Sequence, residues 1–201
     1  EFQFLLSHVV PYADVAATPR FEEASGETVA ALLTEAGRIC EEVVAPINRA
    51  GDAQPARLEN GVVRTAPGYA EAWRAVSEAG FIALSADPGH GGLGMPMAVT
   101  SAVGEMLSSA CPAFHTGVLL SQGQIEAMEH HASDALKATY LPPVVAGEWS
   151  ATMNLTEPQA GSDVGALRTQ AVPNGDGSYA ISGQKIYITW GDNDFTGNVI
   201  H

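Results

Sequence analysis

The sequence predicts an α+β fold in which helices come first and strands follow. Apolar residues recur at helical spacing through the first three quarters of the 201-residue chain, and this pattern changes near Trp149. Further on, Asn174-Gly175-Asp176-Gly177 is a strong hairpin signal that precedes a segment of alternating character. We therefore expect a helical part of the chain, followed by a β-rich part.

The first long helix is predicted to begin after Ser25 and to end at Pro46. Ser25 can cap the first turn, and Pro46 lacks the N–H that a helix interior requires. The polar segment from Arg49 to Pro67 then predicts a loop. The apolar positions at helical spacing in the helix are Val29, Leu32, Leu33, Ala36, Ile39, Cys40, Val43 and Val44.

Four further helices are predicted before the change of pattern. The first runs from Tyr69 to Ala79, and a glycine-rich loop over Asp87 to Gly94 follows it. Pro96 suits the first turn of the next helix, which we expect to reach about Ser109. The last two are predicted over about Ala113 to His131 and, capped by Ser133, through Leu141.

The β-rich part is predicted from three stretches of sequence. Ser150 to Leu155 is expected to form a strand, and Tyr179-Ala180-Ile181 alternates after the hairpin turn. Lys185 to Thr189 continues as a β-rich run. Asn198 to His201 begins another apolar stretch with no visible partner strand, from which we expect the chain to be the front part of a longer protein.

Composition excludes several classes of function. Hydrophobic residues make up 46% of the chain and charged residues 16%, which favours a globular protein with extensive buried surface. The net charge of −14 argues against a basic groove for nucleic acid and against binding to an anionic membrane surface. No apolar run is long enough to span a bilayer. The isolated Cys40 and Cys111 favour packed free thiols and a cytoplasmic location.

Three motifs favour a structural interpretation over a chemical one. Gly89 to Gly94 matches GxGxxG, but helices are predicted around it, so a tight connection between helices is favoured over a dinucleotide site. His130 and His131 point about 100° apart on a helix, so a solvated helix end is favoured and no metal site is expected. Ser162 lacks the glycine two positions earlier that a nucleophile elbow requires, which argues against an esterase.

Two clusters of small, hydroxyl-bearing and apolar residues carry the functional prediction. The first is Thr156-Glu157-Pro158 with Gly161-Ser162, and the second is Tyr187-Ile188-Thr189. A flat ring system needs apolar cover, its polar edge needs hydroxyl or backbone donors, and a pyrophosphate needs small residues with free N–H groups. Together the clusters predict a site for a planar, phosphorylated cofactor, although the first cluster alone could be a structural turn.

In these residues the chain resembles the acyl-CoA dehydrogenase family. The family pattern of a Thr-Glu-Pro-x-Ala-Gly-Ser-Asp core, a Gly-Gln-Lys turn and an aromatic-Ile-Thr strand is matched by Thr156–Asp163, Gly183–Lys185 and Tyr187–Thr189. Pro88–Pro96 is similar to the family's loop between helices. Ser85–Pro88 with Gly191–Asp194 resembles the branch that includes 3-methylmercaptopropionyl-CoA dehydrogenase. Met153 and Tyr187 depart from frequent aromatic and tryptophan residues, and both keep apolar cover.

The resemblance implies a fold and a function. Residues 1–147 would be the N-terminal helical domain, and residues 148–201 the start of a middle β-barrel domain, with the C-terminal helical bundle absent from the sequence. The cofactor would be FAD, and the reaction would be α,β-desaturation of an acyl-CoA thioester in fatty acid metabolism. Ser162 would also lie near the acyl-CoA. The residues implied to contact FAD are Met153, Leu155, Thr156, Gly161, Ser162, Tyr187, Ile188 and Thr189.

The resemblance also bears on partners and on the catalytic base. The expected partners are an acyl-CoA substrate, an electron acceptor such as an electron-transfer flavoprotein, and further copies of the protein when it is full length. The family's catalytic glutamate lies in the C-terminal bundle, so no residue of this chain is predicted as catalytic, and Glu157 is interpreted as a structural carboxylate. The alternative is a non-catalytic flavin-fold module or a partner subunit that acts by association.

Overall fold

The computed structural model describes all 201 residues and confirms the predicted α+β fold. None of its helices combines the length and hydropathy that a membrane crossing requires. The helices are α1 (Phe2–His8), α2 (Tyr12–Ala16), α3 (Gly26–Ile39), α4 (Ala45–Ala53), α5 (Tyr69–Glu78), α6 (Met97–Ala110), α7 (Pro112–His131) and α8 (Asp134–Val145). The strands are β1 (Arg57–Glu59), β2 (Val62–Arg64), β3 (Ser150–Ala151), β4 (Gln170–Pro173), β5 (Tyr179–Ser182) and β6 (Val199–Ile200).

The first long helix begins as predicted but does not end at Pro46. Ser25 caps it, because its hydroxyl accepts the Thr28 N–H at 3.1 Å. A π-helical turn over Cys40–Val44 then joins α3 to α4, which continues to Ala53. This turn shifts the hydrogen-bond register, so Pro46 falls in the first turn of α4, where its missing N–H leaves no helical bond unmade.

The loop predicted between Arg49 and Pro67 is wrong in two respects. Its first residues complete α4, and β1 and β2 form an antiparallel hairpin within it. Asn60 and Gly61 adopt left-handed φ angles of 53° and 81°, as a tight two-residue hairpin turn requires. Each strand has only three residues, most of them exposed, so the apolar pattern around the turn is too short to signal a strand.

The four helices predicted after the first long helix are all present, as α5 to α8. α5, α6 and α7 begin and end within about two residues of the predicted bounds. Ser133 caps α8 by accepting the Leu136 N–H at 3.4 Å. α8 extends beyond Leu141 to Val145, through Pro142 and Pro143.

The hydrophobic core lies among α3, α5, α6, α7 and α8. Cys40 and Cys111 are both buried and free, as predicted, and burial raises the pKa of the Cys40 thiol to about 11. The buried Trp73 indole donates to the Gly147 carbonyl at 2.7 Å, which fixes the end of the helical part against α5. The largest side chains that are fully buried include Phe114, Ile82, Leu84, Leu107, Ile125 and Leu141.

The strands form three separate two-stranded sheets. The predicted turn at 174–177 connects β4 and β5, which pair antiparallel. The strand predicted over Ser150–Leu155 is limited to β3, and β3 pairs in parallel with β6. The stretch Asn198–His201 therefore does have a partner strand, contrary to prediction. The predicted β-rich run over Lys185–Thr189 is irregular, for reasons that concern the candidate site.

Candidate cofactor site

The first segment of the candidate site, residues 152–163, forms a tight turn after β3. Glu157 and Ala160 exchange two backbone hydrogen bonds, of 2.9 and 3.0 Å, and both residues are buried. Pro158 and Gln159 therefore lie at the tip of the turn. Gly161 and Ser162 follow it on the exposed surface, where no heavy atom lies within 4 Å of a Cβ built on Gly161.

Glu157 is the anchor of this turn. Only 3% exposed, its carboxylate accepts the N–H groups of Arg168 at 2.7 Å and Thr169 at 3.0 Å. The Lys185 ammonium lies 2.9 Å from its Oε1, and Gln159 also donates to it. The Thr169 side chain beside it, the Arg168 N–H and the Lys185 ammonium hold the pKa of the Glu157 carboxyl far below its usual range. These contacts confirm a structural carboxylate.

The second segment, residues 185–190, is a turn rather than the predicted strand. Tyr187 and Trp190 have left-handed φ angles of 54° and 55°, which break the extended conformation. The Gly191 N–H closes the turn on the Ile188 carbonyl at 3.3 Å. The β propensity of this run is overridden by a tertiary contact, in which the Trp190 side chain packs against the helical part of the chain.

Trp190 fills a notch on α7 at Gly117. Its indole N–H donates to the Ala113 carbonyl at 3.0 Å, and its ring packs near Tyr69, Trp73, Phe114 and Phe195. A Cβ at Gly117 would lie 2.4 Å from the Trp190 ring, so glycine is needed for this approach. The contact fixes the second segment on the helices.

The structure brings the two segments together side by side. The Ile186 N–H donates to the Thr156 carbonyl at 3.0 Å, and Lys185 Nζ donates to the Leu155 carbonyl at 2.9 Å. At the other end of the second segment, the Thr152 hydroxyl donates to the Thr189 carbonyl at 2.6 Å. The predicted residues 153–156 and 187–189 therefore form one continuous surface.

The predicted residues of this surface differ in exposure. Tyr187 is 88% exposed and Met153 is 58% exposed, so both present apolar surface to solvent. Leu155, Thr156 and Ile188 are half-buried, and Thr189 is exposed. Large exposed apolar side chains beside hydroxyl groups give a surface with apolar cover and a polar edge.

Free backbone donors accompany this surface. The N–H groups of Leu155, Thr156, Gly161 and Ser162 donate to no acceptor within the protein. Gly161 and Ser162 make no hydrogen bond with residues 187–189, so these two predicted residues lie on a separate part of the first segment. Adjacent small residues with free N–H groups suit an anionic group such as a phosphate.

The glycine-rich loop outside the candidate site has a structural explanation. The loop Gly89–Gly94 connects helices, as predicted, and backbone hydrogen bonds hold it close to residues 83–86. A Cβ added to Gly92 would lie only 2.2 Å from the Ala86 carbonyl oxygen, so glycine is needed there. Glu129 accepts the Asp87 N–H at 2.9 Å and contacts His90 at 3.2 Å, which ties this loop to α7. Nowhere do three or more His, Cys, Asp or Glu side chains group in a way that could hold a metal ion.

Sequence reasoning missed the residues that hold the second segment in place. Asp194 accepts the Thr65 hydroxyl at 2.6 Å and the Thr65 N–H at 3.2 Å, and it pairs with Arg64 at 3.4 Å, which joins the β1–β2 hairpin to this loop. Asn193 donates to the Ser150 hydroxyl at 2.9 Å. Their partners lie far away in sequence, so no local pattern indicated them.

Residues 26–148 match the family model described as the N-terminal domain of acyl-CoA dehydrogenase. The chain belongs to the acyl-CoA dehydrogenase family. Over all of its length it is 43% identical to a 3-methylmercaptopropionyl-CoA dehydrogenase from Ruegeria pomeroyi, of which it covers 34%. Over 82% of its length it is 37% identical to a butyryl-CoA dehydrogenase from Syntrophomonas wolfei, of which it covers 27%.

A solved structure agrees in fold. A glutaryl-CoA dehydrogenase from Mycobacterium smegmatis in complex with FADH2 superposes with a TM-score of 0.67 at 20% identity, over 83% of this chain and 40% of that one. The chain thus spans about a third of the length of these curated acyl-CoA dehydrogenases and has the fold of the matching part.

Proposed function

We propose that the protein containing this chain is an FAD-dependent acyl-CoA dehydrogenase that introduces a double bond between Cα and Cβ of an acyl-CoA thioester. Membership of the family and the 43% identity over the whole chain to a protein named for this activity support the proposal. Residues 1–147 would be its N-terminal helical domain, and residues 148–201 would begin its middle β-barrel domain.

The observation that carries the proposal is the surface formed by the two joined segments. Its apolar side chains would cover the flavin ring, and its hydroxyls and free N–H groups would meet the polar edge. Gly161 and Ser162 would receive the phosphate groups, because their N–H groups lack protein acceptors and no side chain crowds Gly161. The residues that would contact FAD are Met153, Leu155, Thr156, Gly161, Ser162, Tyr187, Ile188 and Thr189.

Bound FAD would supply the acceptor for the hydride that leaves Cβ. Residues of this chain would orient the ring and exclude water from one of its faces. Holding the reacting atoms in one geometry makes a large contribution to the rate. Glu157 would not act as the base that removes the α-proton, because its carboxylate is already occupied by Lys185 and two backbone N–H groups. Ser162 would also lie near the acyl-CoA.

The chemistry of the reaction implies further partners. Two electrons leave each acyl-CoA, so the reduced enzyme needs an acceptor, for which we propose an electron-transfer flavoprotein. We also propose that the full-length enzyme is a homo-oligomer and works in the cytoplasm. The two buried free thiols are compatible with a reducing compartment.

The visible spectrum of the purified full-length protein tests the proposed function. We expect the absorption bands of bound flavin and their bleaching when an acyl-CoA is added without an electron acceptor. A panel of short, medium, branched and methylthio-substituted acyl-CoA thioesters would identify the substrate class. A protein without flavin would contradict the proposal. Bound flavin that no acyl-CoA bleaches would favour a non-catalytic flavin-binding module instead.

A further inference from the structure

We propose that Thr152 is a positioning residue, whose hydroxyl sets the location of the Tyr187–Thr189 segment relative to Met153–Thr156. The inference rests on the proposed function, in which these two segments together cover the flavin. Thr152 itself is buried, with 1% of its surface exposed, so it would act through the Thr189 backbone and not by touching the cofactor.

The geometry of this contact is specific. The Thr152 hydroxyl donates to the Thr189 carbonyl at 2.6 Å, and this carbonyl accepts no other hydrogen bond from the protein. The Thr152 backbone is itself fixed, because its N–H donates to the Ile200 carbonyl at 2.9 Å beside the β3–β6 pair. The hydroxyl thus joins a backbone held in a sheet to a backbone held in an irregular turn.

The two ends of the second segment depend on the first segment to different extents. At the Lys185 end, one backbone bond and the Lys185 side chain, which reaches both Leu155 and Glu157, hold the segments together. At the Thr189 end, the Thr152 hydroxyl makes the one hydrogen bond between residues 150–163 and residues 187–189. Loss of this hydroxyl would therefore remove the hydrogen bond between the two segments at the Thr189 end and leave the bonds at the Lys185 end in place.

The turn needs such support because of its backbone conformation. Tyr187 and Trp190 both adopt left-handed φ angles, which non-glycine residues hold only where surrounding contacts compensate. For Trp190 the packing of its ring against Gly117 compensates the cost of this conformation, whereas Tyr187 is 88% exposed and has no such packing. Of the two residues between them, Ile188 accepts the Gly191 N–H from within the turn, and Thr189 accepts the Thr152 hydroxyl from the first segment.

Three variants test the proposal. T152V removes the hydroxyl but keeps the branched shape, T152S keeps the hydroxyl, and T139V is the matched control. The Thr139 hydroxyl also donates to a backbone carbonyl, that of Ala135 at 2.9 Å, but both residues lie on α8, outside the two segments. Each variant is made in the full-length protein.

The first measurement needs no cofactor. Amide exchange of the apoprotein reports on the Gly191 N–H, which closes the turn on Ile188. We expect T152V to exchange about tenfold faster there, as the loss of one net hydrogen bond implies, and T152S and T139V to resemble the wild type. Unchanged protection in T152V, or equal loss in T152S, would overturn the proposal.

The second measurement uses the flavin-loaded protein. We expect T152V to shift the flavin absorption bands and to lower kcat about tenfold while KM changes less than about twofold, with T152S recovering most of the loss. If T152V does not fold, T152A removes the hydroxyl without misplacing a methyl group and is judged by the same criteria. A wild-type protein that binds no flavin would contradict the proposed function, whereas flavin absorption bands and a kcat that stay unchanged in T152V and T152A would contradict only the role of Thr152.

Discussion

The Lys185 ammonium lies 2.9 Å from Oε1 of Glu157, across a sequence separation of 28 residues. This ion pair joins the two segments that carry the family motifs, and Lys185 also donates to the Leu155 carbonyl. Glu157 and Lys185 therefore have a structural role in joining the two segments, which is distinct from the proton transfer of the proposed reaction.

Substitution of Glu157 by glutamine should destabilise the protein and change its response to acid. The pKa of this carboxyl is depressed by its partners in the folded state, so its contribution to stability is fully present above the ordinary pKa of about 4.3. The contribution is lost as pH falls toward the lower folded-state pKa. Thermal melts from neutral to acidic pH should show a lower Tm and a shallower acid dependence for E157Q than for the wild type.

The exposed Glu105 in the middle of α6 provides a control for this experiment, because its side chain makes no hydrogen bond or ion pair. E105Q should match the wild type throughout the pH range. An E157Q protein whose Tm and acid dependence equal those of E105Q would show that the Glu157 contacts contribute nothing to folding.

Replacement of Gly117 by alanine should destabilise the fold by about 1–3 kcal/mol, the usual cost of overpacking. The added Cβ would lie 2.4 Å from the Trp190 ring. G123A on the same helix is the matched control, because nothing lies within 4 Å of a Cβ there, and helix propensity alone should make it neutral or stabilising. Denaturant unfolding measures both variants.

A double-mutant cycle identifies the cause of the loss. In a W190A background the ring is absent, so G117A should cost little or nothing further. Equal penalties for G117A with and without Trp190 would place the steric conflict elsewhere on α7.

Replacement of Asp194 by asparagine should loosen the β1–β2 hairpin locally. The Thr65 hydroxyl and N–H and the Arg64 guanidinium lower the pKa of the Asp194 carboxyl, so it is charged in this contact at neutral pH. Because the ion pair is partly exposed, global stability should change by less than about 1 kcal/mol. Amide exchange of residues 57–64 should become faster in D194N. D192N, two positions earlier in the same loop, should leave the hairpin unchanged.

Replacement of Gly161 by alanine should weaken FAD binding without affecting the fold. Open space surrounds a Cβ at this position, so the apoprotein should unfold at the wild-type denaturant concentration. FAD affinity should fall about tenfold or more, because the methyl group would occupy the approach to the free N–H groups. G26A at the start of α3 has the same open space and is the control for flavin titrations. Equal FAD affinity in G161A and G26A would remove Gly161 from the proposed site.

The sequence predictions were accurate where the interactions are local in sequence and failed where the interacting residues are far apart in sequence. α7 was predicted closely because the helical spacing of its apolar positions is a local signal, and the β4–β5 hairpin followed from its Asn-Gly-Asp-Gly turn. The strand predicted at Lys185–Thr189 was wrong because its conformation depends on Trp190, whose partners lie on α5 and α7. The FAD and substrate roles of the motif residues stay predictions.

The sequence by itself determined α5, α6 and α7, the β4–β5 hairpin and the family, since these depend on periodicity, turn residues and motifs within short stretches. Only the tertiary structure decided how the motifs meet. Two contacts hold the second motif against the first, namely Thr152 with Thr189 and Lys185 with Glu157. A third contact, of Trp190 with Gly117, holds the second motif on the helices. Contacts of this kind form between residues that are far apart in sequence, so no local pattern in the chain predicts them.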